Sequence, residues 1–315
     1  MSDSYGDVTG EYFALRDDVG AVAGVHSLIW VRGKDAVSFL DGLLSQDIAA
    51  MDSQSVAKAL LLTPQGKLRA TLTLLRDDEA VGLICDAGRV DVVLEDLARF
   101  KFRVAADIDL FDGPVFDLIG PNAAPALDSA GLGPPAGWSV HDEVVVANVP
   151  LGSIPRYVVA GAVEMGTVAR MAGRLAFDAV RIETGEPVVG RDIDEKTIPQ
   201  EADVVDASVS FTKGCYLGQE LVARIDSRGR VNRHLRGVVV ATNVVPPLGA
   251  SLVFHGKTVG ELTSVAESLA VRAPIGLALV RREVEPGTKV TIEWDGGSVA
   301  GEVRLLPLDD ASIQT

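Results

Sequence analysis

Lys213-Gly214-Cys215-Tyr216-Leu217-Gly218-Gln219-Glu220, continued by Leu221-Val222-Ala223-Arg224, divides the 315-residue chain into two unlike parts. Glycine takes positive φ and lets the backbone approach another segment closely, so two glycines bracketing a cysteine predict a tight loop presenting one side chain. Gln219 then opens a helical turn. Downstream the pattern is one of short strands over 235–241, 251–254, 258–266, 275–281, 289–294 and 298–306, separated by His255-Gly256, Pro286-Gly287 and Asp295-Gly296-Gly297. Strands this short and evenly punctuated predict a small all-β domain of barrel type.

Upstream, strands and helices mix irregularly. Residues 27–31 read as a strand turning at Gly33-Lys34, and Asp35 caps a helix with Val37, Leu40, Leu43, Leu44 and Ile48 on its apolar stripe. A hairpin follows over 56–62 and 67–75, joined by Thr63-Pro64-Gln65-Gly66, with Leu68, Ala70, Leu72 and Leu74 in period two. A strand over 81–86, a helix over 89–100 and a strand over 102–110 complete the set. After an interruption rich in Gly, Pro and Ala, a second set resumes at Val144; its clearest helix is predicted over 167–183, capped by Gly185 and stopped by Pro187. This order predicts an α+β protein, not a doubly wound sheet. The expected organisation is a polar N-terminal segment over 1–25, an α+β region of two lobes over 26–230 with a break near 112–142, and a β-barrel over 231–315.

With 29 Lys+Arg against 44 Asp+Glu, the net charge is -15, which repels phosphate backbones and excludes general nucleic-acid coating. Apolar runs are broken far short of the roughly 18 residues that span a bilayer, so no membrane partner is expected. Asp3, Asp7, Glu11, Asp17 and Asp18 leave no cationic or apolar leader, and a cytoplasmic location is expected. Cys85 and Cys215 make no disulfide framework, and four scattered histidines supply no metal-ligand spacing, so no metal site is assigned. Cys85, in an apolar strand, reads as core. His26, His141, His234 and His255 receive no role.

The octapeptide at 213–220 resembles the signature of YgfZ-type folate-binding proteins, the iron-sulfur-associated branch of the family that includes the glycine cleavage T-protein, an aminomethyltransferase. Further stretches resemble family positions in family order: Gly33-Lys34-Asp35 through Phe39-Leu40, Leu62-Thr63-Pro64-Gln65-Gly66-Lys67, Phe100-Lys101-Phe102-Arg103, Arg181-Ile182-Glu183 with Gly185 and Pro187, Pro199-Gln200-Glu201, and Gly276-Leu277-Ala278-Leu279-Val280. The resemblance implies two ferredoxin-like α+β lobes around a central folate pocket plus a C-terminal barrel. It also implies a tetrahydrofolate-binding protein, taking that cofactor or a one-carbon-substituted form. Its role would be to assist iron-sulfur cluster assembly or repair, with assembly factors or client iron-sulfur proteins as partners and an indirect effect on tRNA-modifying enzymes. The alternative is an aminomethyltransferase. Against it, Ala70 and Thr71 stand where the T-protein branch carries two aspartates, and neither can exchange a proton near neutrality.

Site residues follow from the same resemblance and from charge. Cys215 is expected as the reactive group, its thiolate favoured by Lys213 and by a helix N-terminus. Glu183, in the last turn of its helix, is the expected pterin anchor, because a carboxylate can accept an N–H and an amino group side by side. Residues 224–236 contain five Arg and one Asp in a negatively charged chain, and Arg224 and Arg228 are expected at the glutamate tail of folate. Tyr216 and Gln219 of the motif are expected to touch the cofactor. A third reading is an adaptor that docks an acidic partner through the arginines.

Overall fold

The computed structural model describes residues 2–308; Met1, residues 309–315 and the side chain of Arg228 lie outside the described residues. The first sheet is antiparallel throughout, in the order Val56–Leu62, Leu68–Arg76, Ala80–Asp86, His26–Arg32, Asp107–Leu110. Its period-two pattern sorts side chains between two faces. On one face Ile29, Leu61, Leu72, Leu74 and Leu83 pack against the helices Ala36–Leu43 and Val90–Phe100 through Leu40, Val93 and Leu97. On the other, Leu28, Trp30, Leu75 and Ile84 meet Trp138, Val145, Ala147 and Val158 of the second sheet. The Trp30 and Trp138 rings lie 5.5 Å apart between the two layers.

The second sheet runs in the order Arg170–Met171, Gly20–Ala23, Val115–Ile119, Arg156–Ala160, Val144–Asn148, Trp138–His141. Only its first pair is parallel. Beyond the two sheets, Arg233–Val240, Ala273–Arg281, Lys257–Ser268, Ser251–Phe254, Lys289–Trp294 and Gly297–Arg304 close into a barrel around Val238, Leu252, Leu262, Val280, Ile292 and Val303. The α+β body with a closed C-terminal barrel is the expected fold class.

Three elements differ from expectation. Residues 1–25, expected as a polar lead, contain the helix Val8–Asp17, capped by Asp7, which accepts a hydrogen bond from the Gly10 N–H at 3.0 Å. Tyr12 and Leu15 of that helix are buried with Ala176, Phe177 and Val180, and Gly20–Ala23 sits inside the second sheet. The helix expected over 167–183 is interrupted. Arg170–Met171 is drawn out to pair with Gly20 and Ala21, and the regular helix is Arg174–Thr184. Gly173 permits this, since a Cβ there would stand 2.5 Å from the Asp3 carbonyl oxygen. The strand expected over 102–110 shrinks to Asp107–Leu110, because Arg103 turns the chain at a φ of 57° and leaves Phe102 exposed.

Candidate functional site

The central cavity, of about 290 Å³, lies where the two sheets, the end of the Arg174–Thr184 helix and the barrel converge. Thr71 and Thr73 reach it because they alternate with Leu72 and Leu74, whose side chains face the helices. Asp86 enters at the end of the strand Ala80–Asp86, with His26 directly opposite it in register. Arg156 comes from the second sheet, Glu186 from the turn after the helix, and Arg236 from the barrel. A larger hollow of about 570 Å³ follows the edge strand Val56–Leu62, but Lys58 is the single charged group among its described lining residues. The chemistry-bearing groups converge on the smaller cavity.

An ionic chain crosses the wall of this cavity. Arg156, 2% exposed, grips Glu186 with two hydrogen bonds of 2.7 and 3.0 Å and donates a third, from Nε, to the Val149 carbonyl at 2.7 Å. The same Nη1 that bonds Glu186 also lies 3.7 Å from Asp117, which in turn holds His26 Nδ1 at 2.8 Å. Burial opposes charge on Glu186, but the guanidinium outweighs it and holds this carboxyl below its ordinary range. Asp86 behaves oppositely: burial, reinforced by Glu186 and only partly offset by His26, pushes its pKa up. Its Oδ2 accepts the Val189 N–H at 3.3 Å, and it has no side-chain hydrogen-bond partner among the described residues. The cavity thus presents one committed carboxylate and one available carboxyl able to exchange a proton nearer neutrality.

For His26, burial disfavours the charged form, yet the Asp117 carboxylate more than compensates and lifts the pKa above 6.5. Because the folded value exceeds the unfolded one, this contribution to stability is complete below about pH 6.5 and lost as pH rises through the folded value. Urea midpoints measured from pH 6 upward are therefore expected to fall across that interval. A His26→Gln variant should flatten this slope, and an unchanged slope would remove His26 as its source.

The expected site residues do not assemble around this cavity. Glu183 is 2% exposed and faces away from it, accepting hydrogen bonds from Tyr12 at 2.7 Å, from Ser268 and from Arg16. Three hydrogen bonds thus engage its two oxygens, and it ties the N-terminal helix to the barrel. Lys213 likewise turns from the cysteine. Its buried ammonium donates to the carbonyls of Asp41, Leu44 and Gln46 at 2.5, 3.1 and 2.6 Å, which removes it as a partner for the Cys215 thiol. Cys215 itself is exposed.

Tyr216 is buried with Leu60, Leu62, Val189 and Val222, where burial pushes its phenol up to about 12. Gln219 caps its own loop by accepting the Tyr216 N–H at 3.4 Å. Arg224 pairs with Glu220 on the exposed face of the helix Gln219–Arg228, and the Arg228 side chain lies outside the described residues. From the arginine run it is Arg236 that lines the cavity. Of the two bracketing glycines, Gly218 is the constrained one. Its φ is 81°, and a Cβ there would meet the Thr63 carbonyl at 2.5 Å, so the cysteine loop is docked onto the 63–66 turn. Gly214 has open space around it.

His26, Asp86, Arg156 and Glu186 were not singled out from the sequence. For Glu186 a local signal exists. Gly185 takes φ 81° at the helix end, and this left-handed residue reverses the chain, so carboxylates three positions apart face different surroundings.

Residues 233–310 match the model of the glycine cleavage T-protein C-terminal barrel domain. Over 240 residues the chain is 28% identical to the tRNA-modifying protein YgfZ of Yersinia pseudotuberculosis, covering 72% of each. It is 24% identical to an aminomethyltransferase of Pelodictyon phaeoclathratiforme, covering 99% of this chain and 93% of that protein. The crystal structure of glycine cleavage system aminomethyltransferase T from Bartonella henselae superposes with a TM-score of 0.87 at 23% identity, over 96% of this chain and 89% of that one. Sequence match and shared architecture agree: the chain is similar to YgfZ and aminomethyltransferase proteins over most of its length and shares the aminomethyltransferase fold.

Proposed function

We propose that this chain binds tetrahydrofolate, or a one-carbon-substituted form, in the central cavity and assists iron-sulfur cluster assembly or repair in the cytoplasm. The observation that carries the binding half is the available carboxyl of Asp86, set beside the Thr71 and Thr73 hydroxyls, which have no internal partner among the described residues. That donor set fits a pterin: its adjacent N–H and amino groups need a carboxylate acceptor, and its carbonyl needs a donor. This reading gives Asp86 the anchoring role expected of Glu183, whose carboxylate is already engaged by Tyr12, Ser268 and Arg16. Arg156 and Glu186 hold the wall, and Arg236 adds positive charge on the barrel side.

Thr71 also favours the YgfZ branch. It lines the cavity at a position where the resemblance places an aspartate in aminomethyltransferases, and a hydroxyl does not supply their carboxylate chemistry. Cys215, exposed on a loop docked beside the 63–66 turn, is not among the cavity-lining residues, which supports a role toward a partner protein and not toward the folate.

Calorimetry with tetrahydrofolate tests the reading. Binding is expected for the native protein, and Asp86→Asn should weaken it roughly 10- to 100-fold, the worth of a hydrogen bond to a charged group. Cys215→Ala should bind folate normally yet fail to restore iron-sulfur enzyme activity in a deletion strain. Absence of folate binding would support the adaptor reading instead, and turnover with glycine cleavage carrier protein would support the aminomethyltransferase.

A further inference from the structure

His26 and Asp86 are directly paired across His26–Arg32 and Ala80–Asp86, on the sheet face that also carries Leu28 and Ile84, and both line the central cavity. Side chains paired in this way stand about 5 Å apart at Cβ. The two differ in what they offer a ligand. Asp86 presents an acceptor, whereas His26 is held from behind: its Nδ1 lies 3.0 and 2.8 Å from the two oxygens of Asp117, which fixes a proton on that nitrogen. Nε2 then accepts when the ring is neutral and donates when the ring is charged. It has no hydrogen-bond partner among the described residues and is not one of the side-chain nitrogens closed off from solvent, so it meets the open space of the cavity. The charged groups that face the ring are Asp117 from Val115–Ile119, Arg156 from Arg156–Ala160, Asp86 from its own sheet and Glu186 from the turn after Arg174–Thr184. Three carboxyls against one guanidinium favour the imidazolium.

A carboxylate beside an imidazolium selects a ligand edge on which donors and an acceptor follow one another. A pterin carries such an edge, with its 2-amino group, its N3–H and its 4-carbonyl in a row. We propose that His26 is a specificity-determining partner of Asp86: Nε2–H donates to the pterin 4-carbonyl while Asp86 accepts from the N3–H and the amino group, so that a proton on His26 is bound together with the ligand. The Thr71 and Thr73 hydroxyls, able to donate or accept, then serve the remaining ring nitrogens. The assignment rests on the folate reading and adds the proton to it as a second ligand. Loss of that proton turns Nε2 into a lone pair facing the carbonyl. Affinity therefore falls as pH rises through the folded pKa of His26, and above that value binding draws a proton from the buffer.

Calorimetry of tetrahydrofolate binding to the full chain, from about pH 7 to 9 and in two buffers of different ionisation enthalpy, tests the assignment. The native protein is expected to lose about tenfold or more in affinity over that interval, the worth of one hydrogen bond from a charged donor, and to take up a proton on binding at its alkaline end. His26→Gln keeps a neutral donor at the site, so its affinity should change by less than about threefold over the same interval, without proton uptake. Asp117→Asn withdraws the main counter-charge of the ring and should move the fall to lower pH, a displacement that a merely structural histidine does not produce. With 6-methyltetrahydropterin, which has no glutamate tail, the native protein should show the same pH dependence. A native affinity that stays constant, or an equal fall in His26→Gln, overturns the assignment and leaves the folate reading intact. A fall with tetrahydrofolate that is absent with the tail-less pterin makes His26 an attractor of tail carboxylates and also overturns it. Failure of the native protein to bind tetrahydrofolate at any pH removes the folate reading and this assignment together.

Discussion

Arg156→Met is expected to destabilise the protein by about 3–5 kcal/mol, the usual cost of removing one partner from a buried ionic network. The guanidinium is the shared counter-ion of Glu186, bound through two hydrogen bonds, and of Asp117 at 3.7 Å, and its Nε satisfies the Val149 carbonyl. Methionine fills much of the volume but leaves Glu186 facing Asp86 across the same cavity without its main counter-charge. Removing the second charge as well should recover part of the loss, because an apolar replacement of the whole pair is often close to neutral. Arg156→Met/Glu186→Leu is therefore expected to have a higher urea midpoint than Arg156→Met alone. A single variant within 1 kcal/mol of the native protein, or a double variant less stable still, would show that the guanidinium does not compensate these carboxylates.

Lys213→Met is expected to cost about 2–4 kcal/mol, since it strips a charged donor from one buried and two half-buried carbonyls that then carry a desolvation penalty. Those carbonyls belong to Asp41, Leu44 and Gln46, at and just beyond the end of the helix Ala36–Leu43, where orphan acceptors need external donors. The lysine thus fastens the cysteine loop to the first sheet's helix layer. Thiol alkylation separates this from activation of Cys215: the variant should lose stability while Cys215 reacts no more slowly. An unchanged urea midpoint together with slower alkylation would return Lys213 to the thiol.

The barrel was legible in the sequence because its information is local. Alternation within each strand and turn chemistry at His255-Gly256 and Asp295-Gly296-Gly297 placed the strands within a few residues. The hairpin at Thr63 to Gly66 was readable for the same reason. The central cavity was not, because its groups meet only through the tertiary fold: His26 and Asp117 are 91 residues apart. Local reading also misplaced charges that are close in sequence. Lys213 and Cys215 are neighbours along the chain, but the loop sends them to different surroundings, and the αL turn at Gly185 does the same for Glu183 and Glu186. Spacing identifies which residues carry chemistry more readily than it shows where they point.

The position of Gly20–Ala23 bears on how the chain is made. A ribosome delivers this strand early, yet its neighbours, Val115–Ile119 and Arg170–Met171, emerge only after the whole first sheet has been synthesised. The first sheet can close while Gly20–Ala23 waits for a partner more than 90 residues away, a long loop closure that slows assembly. Order along the polypeptide and order of completion thus run in opposite senses for this strand: it precedes the first sheet in the chain but finds its neighbours after it.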